Sequence, residues 1–226
     1  QYSEVYGPLP IDGVEIDPQI VAVARQYLDM NLPNLHVFVQ DGRYFINQTE
    51  NDYDVIIVDA YRPPYIPFHL TTAEFFLEAR RRLTPEGVLA VNVARTATDY
   101  ALVDIVASTL KAVFPTVLIV DAAESYNSMV VATQKPVTRD DFEAQAARVS
   151  AATLGEEEIL RFAQNDKDSR SEGRLSAARN LVLRDVVQRA SQHLREFPAP
   201  TTPPLRDDHA PIEQVIHSMI WRFVWQ

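Results

Sequence analysis

Three successive apolar runs in this sequence each lead into carboxylates. Ile11-Asp12-Gly13-Val14 leads into Glu15 and Asp17, Leu35-His36-Val37-Phe38-Val39 into Asp41, and Tyr53-Asp54-Val55-Ile56-Ile57-Val58 into Asp59. In an open parallel sheet the carboxyl ends of the strands share one edge, and ligands bind there. Carboxylates on that edge can accept from ribose hydroxyls or an adenine amino group, and they can hold a cation. The arrangement reads as a nucleoside-cofactor enzyme.

The elements that must position these acids follow from the hydrophobic pattern. Ile11–Asp17 reads as a buried strand. Pro18 opens a helix at its first turn, where a missing N–H does no harm. Ile20, Val21, Val23, Ala24 and Tyr27 give that helix an apolar face. Leu35–Val39 is the next strand and Gly42–Asn47 a short helix. Tyr53–Val58 is a continuous apolar run, as expected of a central parallel strand. Ala60–Leu70 is a loop with Pro63, Pro64 and Pro67. Thr71 or Thr72 caps a helix running through Phe75, Phe76, Ala79 and Leu83. Pro85-Glu86-Gly87 turns into the strand Val88–Val93, Asp99–Val113 is helical, and Thr116–Val120 with Met129–Thr133 forms an antiparallel pair.

Beyond Pro136 the pattern turns helical, over Arg139–Ser150, Gly155–Asn165 and Ser176–Phe197. Asp166–Gly173 reads as a polar loop, and the four prolines of Pro198–Pro204 require extended chain. Ile212–Trp225 reads as a terminal helix burying Ile216, Ile220 and Phe223. The expected fold is α/β, a Rossmann-like doubly wound, mostly parallel sheet with a helical C-terminal extension. The expected division is a nucleoside-cofactor domain over residues 1–136 and an extension over 137–226 that packs on it.

Composition narrows the function. Lys and Arg total 21 against 31 Asp and Glu, a formal charge of -10. Phosphate backbones call for a basic face, so nucleic acid is not the expected partner. There are no cysteines, which removes disulfides and thiolate chemistry and fits a reducing compartment. The five histidines form no HxH or HxxxH pair, and no metal is expected. No apolar run approaches the roughly 20 residues of a membrane span. A cytoplasmic location is expected.

Val14-Glu15-Ile16-Asp17-Pro18, Asp41-Gly42 and the run Tyr53–Asp59 occur in an order and spacing that resemble the spermidine synthase (polyamine aminopropyltransferase) family, of the class I methyltransferase type of fold. Phe68-His69-Leu70-Thr71-Thr72-Ala73-Glu74-Phe75-Phe76, Leu83-Thr84-Pro85-Glu86-Gly87-Val88-Leu89 and Asp207-Asp208-His209-Ala210-Pro211-Ile212-Glu213 resemble further stretches of that family. The resemblance covers roughly residues 8–135 and 205–215.

The resemblance implies roles. Glu15, with Ile16 beside it, matches the acid that holds the cofactor ribose. Asp41 matches the acceptor for the adenine amino group, with Gly42 allowing close approach. Asp59 matches the catalytic proton acceptor. The implied activity transfers an aminopropyl group from decarboxylated S-adenosylmethionine to an amine or polyamine. The alternatives are an S-adenosylmethionine-dependent methyltransferase and a non-catalytic domain of the same fold. A homodimer is compatible with the sequence.

Two features depart from the family pattern. The Gly-rich loop expected before Glu15 has no counterpart among the 6 glycines, which form no GxG, so the chain is expected to be N-terminally truncated. The catalytic loop reads Asp59-Ala60-Tyr61-Arg62-Pro63, with Arg62 where the family carries a second acid. Arg62 points to solvent, pairs with Asp59, or binds an anionic substrate; a diamine is disfavoured beside it. Tyr61 and Tyr65 either wall a substrate pocket or pack. Asp17 reads as a helix N-terminal charge, His69 and His209 as surface or satisfied core residues, and Glu156-Glu157-Glu158 as a helix start. Asp207 and Asp208 line the pocket mouth or tie down the C-terminal tail.

Overall fold

Runs of Val, Ile and Leu form strands where a partner strand can take up their backbone groups, and the alternating helical runs cover the faces. In the computed structural model, the described residues are Ser3, 7–61, 66–122, 125–152, 186–197, 199–200 and 202–224. The chain forms two units, Gln1–Val39 with Asp140–Gln192, and Gln40–Arg139 with His193–Gln226.

In the first unit, β1 (Ile11–Glu15) pairs in parallel with β2 (Leu35–Val39), from Ile11 opposite Leu35 to Glu15 opposite Val39. The connecting helix α1 (Pro18–Tyr27) starts as expected. Asp17 caps it by accepting from the Gln19 N–H at 2.7 Å, and Pro18 occupies the first turn. Its expected apolar face is largely uncovered: Val21 is buried, whereas Ile20, Val23 and Tyr27 are each more than half exposed. The helical period identifies which residues share a face, not whether a neighbour covers it.

In the second unit, five strands lie in the order β3-β4-β6-β5-β7. β3 (Tyr53–Val58) is parallel to β4 (Leu83–Ala94). β6 (Asn127–Thr133) is antiparallel to both β4 and β5 (Thr116–Asp121), so the expected antiparallel pair is present. Helices α2 (Gly42–Gln48), α3 (Ala73–Arg80) and α4 (Ala101–Lys111) alternate with these strands. The α/β expectation is met.

The core of this unit is apolar, and its fully buried strand residues share one face of the sheet. Leu89, Val91 and Val93 of β4, Ile119 of β5 and Val130 of β6 are inaccessible to solvent. Val103, Val106, Ala107 and Leu110 lie on the buried side of α4, and Phe76 on that of α3. β4 starts earlier than expected, at Leu83, and the predicted turn Pro85-Glu86-Gly87 is a register irregularity inside it: Tyr53 faces Leu83, while Val55 faces Val88. Gly87 suits this spot, because a Cβ would lie 3.0 Å from the carbonyl oxygens of Thr84 and Tyr53, tighter than side chains ordinarily pack.

Four expectations are corrected. β3 is at the end of its sheet among the described residues, with Val55 53% and Ile57 40% exposed, rather than central. An unbroken apolar run reports two faces suited to burial; it does not report how many neighbours a strand has. The helix α3 stops at Arg80, and Leu83 opens β4. The expected helix through Phe197 is helical over 186–193, but Leu194–Glu196 forms β7, antiparallel to β5. There an available sheet edge outweighs local helical preference. In the terminal helix α6 (Ile212–Val224), Ile212, Ile216 and Met219 are buried while Ile220 is 41% exposed.

Helix α5 (Arg139–Ala152) follows the pattern, with Asp140 and Asp141 at its positive end. The expected helix at Gly155–Asn165, the acidic run Glu156–Glu158, the loop Asp166–Gly173, and Arg62 with Tyr65 lie outside the described residues.

Candidate functional site

Glu15 is the last residue of β1, and its Oε1 accepts from the Asp17 N–H at 3.0 Å. Ile16, between them, is exposed. Both stand at the carboxyl end of a parallel strand in the first unit. Asp41, Gly42, Asp59 and Tyr61 belong to the second unit.

Asp41 is the N-cap of α2. Its Oδ1 accepts from the backbone N–H groups of Arg43 at 2.9 Å and Tyr44 at 3.0 Å, and its Oδ2 meets His69 Nε2 at 2.8 Å. Partial burial pushes its carboxyl pKa up. The Tyr44 N–H, the His69 ring and the Arg43 N–H outweigh this, and the net result lies below the ordinary carboxylate range. A Cβ on Gly42 would lie 3.9 Å from Leu70 Cδ2, an ordinary contact. Packing alone does not demand glycine there.

His69 lies on the 3-10 turn Phe68–Leu70. It matters more than its reading as a surface or satisfied core residue implied, because it holds one oxygen of Asp41. The two are 28 positions apart, and no local spacing announces the pair.

Next to Asp41, Arg43 organises a charge cluster. Its Nε and Nη2 donate to Glu78 at 2.7 Å each, its Nη1 and Nη2 donate to Asp207 at 2.7 and 2.9 Å, and Nη1 also reaches the His69 carbonyl at 3.3 Å. All five guanidinium N–H groups are thereby used. The carboxylates of Glu78 and Asp207 hold the Arg43 pKa above its usual value. Thr72, the N-cap of α3, donates its hydroxyl to Asp207 at 2.7 Å, and the Asp207 N–H donates to Glu74. Leu205 is buried, its carbonyl accepting from the Ala73 N–H and its own N–H donating to Thr109. Asp207 thus ties the C-terminal segment to α2 and α3.

This cluster has a pH signature. Arg43 is the largest cause lowering the pKa values of Glu78 and Asp207, and Asp41 is lowered too. A carboxyl depressed in the folded state adds stability above its unfolded value, near 4, and that stability is lost as pH falls through the folded value. The melting temperature is therefore expected to hold between about pH 7 and 5 and to fall below about pH 4. Thermal scans across that range check this. A melting temperature that rises toward acid would contradict it.

Asp59 is exposed and sits just past the end of β3. Its Oδ1 accepts from Asn92 Nδ2 at 2.8 Å. The parallel register pairs Val58 with Val91, so each of these two residues lies one position further along its strand. The Tyr61 hydroxyl donates to the Asn92 carbonyl at 2.8 Å. Burial pushes the Tyr61 phenol up to about 12, opposed by the Ala94 N–H and helped by the charge of Asp59, so it stays protonated at neutral pH. Sequence reading passed over Asn92. The available signal was one polar side chain inside the apolar run Val88–Val93.

Among the described residues, no group of three His, Asp or Glu side chains is arranged to hold a metal ion, and no helix is long and apolar enough to cross a membrane.

A probable polyamine aminopropyl transferase of Bifidobacterium longum is 40% identical over 93 residues, covering 41% of this chain and 21% of that protein. A probable spermidine synthase of Corynebacterium glutamicum has a similar structure, with a TM-score of 0.56 at 21% identity, over 75% of this chain and 67% of that one. Human methyltransferase-like protein 13, solved with SAH, gives a TM-score of 0.51 at 26% identity, over 76% of this chain and 70% of that one. The curated relatives are longer: this chain spans 21% to 39% of the length of those it matches. These two solved structures and this chain share the class I methyltransferase type of α/β fold. Residues 8–139, more than half of the sequence, match the spermine/spermidine synthase domain, and the chain belongs to that family.

Proposed function

We propose that this chain is the catalytic domain of an aminopropyltransferase, moving an aminopropyl group from decarboxylated S-adenosylmethionine to an amine. The observation that carries this reading is Asp59 just past the end of β3, held by Asn92 of the adjacent parallel strand, in a chain of the spermine/spermidine synthase family. Glu15 and Ile16 would serve the ribose, Asp41 and Gly42 the adenine, and Tyr61 the acceptor.

The chemistry sets what each group must do. A protonated amine has no lone pair to attack with. Asp59 takes that proton, and the freed nitrogen attacks the aminopropyl carbon bonded to the sulfonium. The new C–N bond forms as the C–S bond breaks. Its electrons stay on sulfur, which leaves as a neutral thioether, and the product nitrogen retains a proton as an ammonium. Carboxylates suit a cationic donor and a cationic acceptor alike. Most of the barrier reduction would come from holding nitrogen and carbon in line.

A methyltransferase on the same fold is the second reading. Arg62 in the Asp59 loop and the likeness to the SAH-bound human protein favour it. Titration calorimetry with the full-length protein separates the two. Tighter binding of decarboxylated S-adenosylmethionine than of S-adenosylmethionine, by about tenfold or 1.4 kcal/mol, is expected. The reverse preference would reject aminopropyl transfer.

A further inference from the structure

Asp59 is exposed at the end of a strand, and a carboxylate there can rotate about its last bond. A proton acceptor that rotates freely spends much of its time misaimed, and about 1 Å of misplacement can cost about a hundredfold in rate. Something must hold it. The side chain in contact is Asn92 on the neighbouring strand, at 2.8 Å. An ionised carboxylate only accepts hydrogen bonds, so the amide must turn its NH₂ group toward Asp59. The same residue uses its backbone carbonyl to accept from the Tyr61 hydroxyl at 2.8 Å. Both fastenings spring from one position on β4, whose neighbours Val91 and Val93 are inaccessible to solvent. The anchor therefore springs from a strand position flanked by buried side chains, whereas Asp59 stands exposed beyond its strand.

We propose that Asn92 is a positioning residue for the transfer reaction, aiming the Asp59 carboxylate through its side-chain amide and pinning Tyr61 through its carbonyl. This rests on the reading of Asp59 as the proton acceptor. With Oδ1 held, the other oxygen is presented to the acceptor ammonium in a fixed direction. The side-chain part of this device needs a donor of amide length at position 92. The carbonyl part belongs to the backbone, so substitution leaves it in place and isolates the effect on Asp59.

The test uses the full-length protein with Asn92→Ala, Asn92→Asp and Asp59→Asn. The readouts are kcat, KM for the amine and thermal unfolding. The expected result is an inactive Asp59→Asn and an Asn92→Ala whose kcat falls about 10- to 100-fold while KM stays within about threefold. Asn92→Asp, which removes the donor and sets a like charge beside Asp59, should lower kcat at least as far. If Asn92→Ala does not fold, the isosteric Asn92→Asp carries the test alone. Unchanged kcat in both Asn92 variants beside an inactive Asp59→Asn overturns the positioning role and leaves the base reading standing. An active Asp59→Asn removes the base reading, and the positioning role with it.

Discussion

Asp59→Asn is expected to lower turnover by about 10²- to 10⁴-fold, the usual worth of a positioned general base. The substitution keeps the size and shape of the side chain and removes its ability to take a proton. Because Asp59 is exposed and stands beyond β3, no packing is lost, and the melting temperature should stay within about 1 °C of wild type, as for ordinary surface substitutions. Donor binding should change little, since adenosyl recognition is assigned to Glu15 and Asp41. Steady-state assays with decarboxylated S-adenosylmethionine and an amine check this. Turnover within threefold of wild type would take the base role from Asp59.

The second large effect concerns stability. Arg43→Met is expected to destabilise the second unit by about 2–4 kcal/mol, somewhat below the figure for breaking a fully buried pair because Asp207 is 44% exposed. Methionine keeps most of the apolar stem but none of the donors. Glu78 and Asp207 would then face one another without the cation that both of them bind. The C-terminal segment would lose a fastening to α2, keeping those from Thr72 and Glu74. With about 2–4 °C per kcal/mol for a chain of this size, the melting temperature should fall by about 5–15 °C. The variant should also lose much of its acid sensitivity, since the largest cause depressing the Glu78 and Asp207 carboxyls is gone. Thermal scans at pH 7 and pH 4 test both points. An unchanged melting temperature would show that the cluster only decorates the surface.

What the sequence made legible follows from range. β1, β2 and β3 could be read because apolar runs and the polar residues that bound them are local signals. The Asp17 and Asp41 caps were likewise visible, since a cap and the N–H groups it accepts from are two or three residues apart. Position at or just past a strand end is likewise a local signal, and it marks Glu15, Asp41 and Asp59 as candidates.

The rest depends on contacts that sequence spacing does not encode. Arg43 and Asp207 lie 164 positions apart, and His69 and Asp41 lie 28 apart. Asn92 reaches Asp59 only because β3 and β4 are parallel neighbours in that register. Leu194–Glu196 has an ordinary helical context and becomes a strand because the edge of β5 is open to it. The exposed side chains of α1 and β3 make the same point from the other direction: apolar residues announce a surface suited to burial, while the neighbour that would cover it is a separate fact.

The most direct test of the central claim is a crystal structure of the full-length protein with decarboxylated S-adenosylmethionine. The account predicts Glu15 within hydrogen-bond distance of the ribose hydroxyls, Asp41 beside the adenine amino group, and Asp59 facing the aminopropyl end of the same molecule. A nucleoside bound elsewhere, with Glu15 and Asp41 both out of its reach, would contradict it.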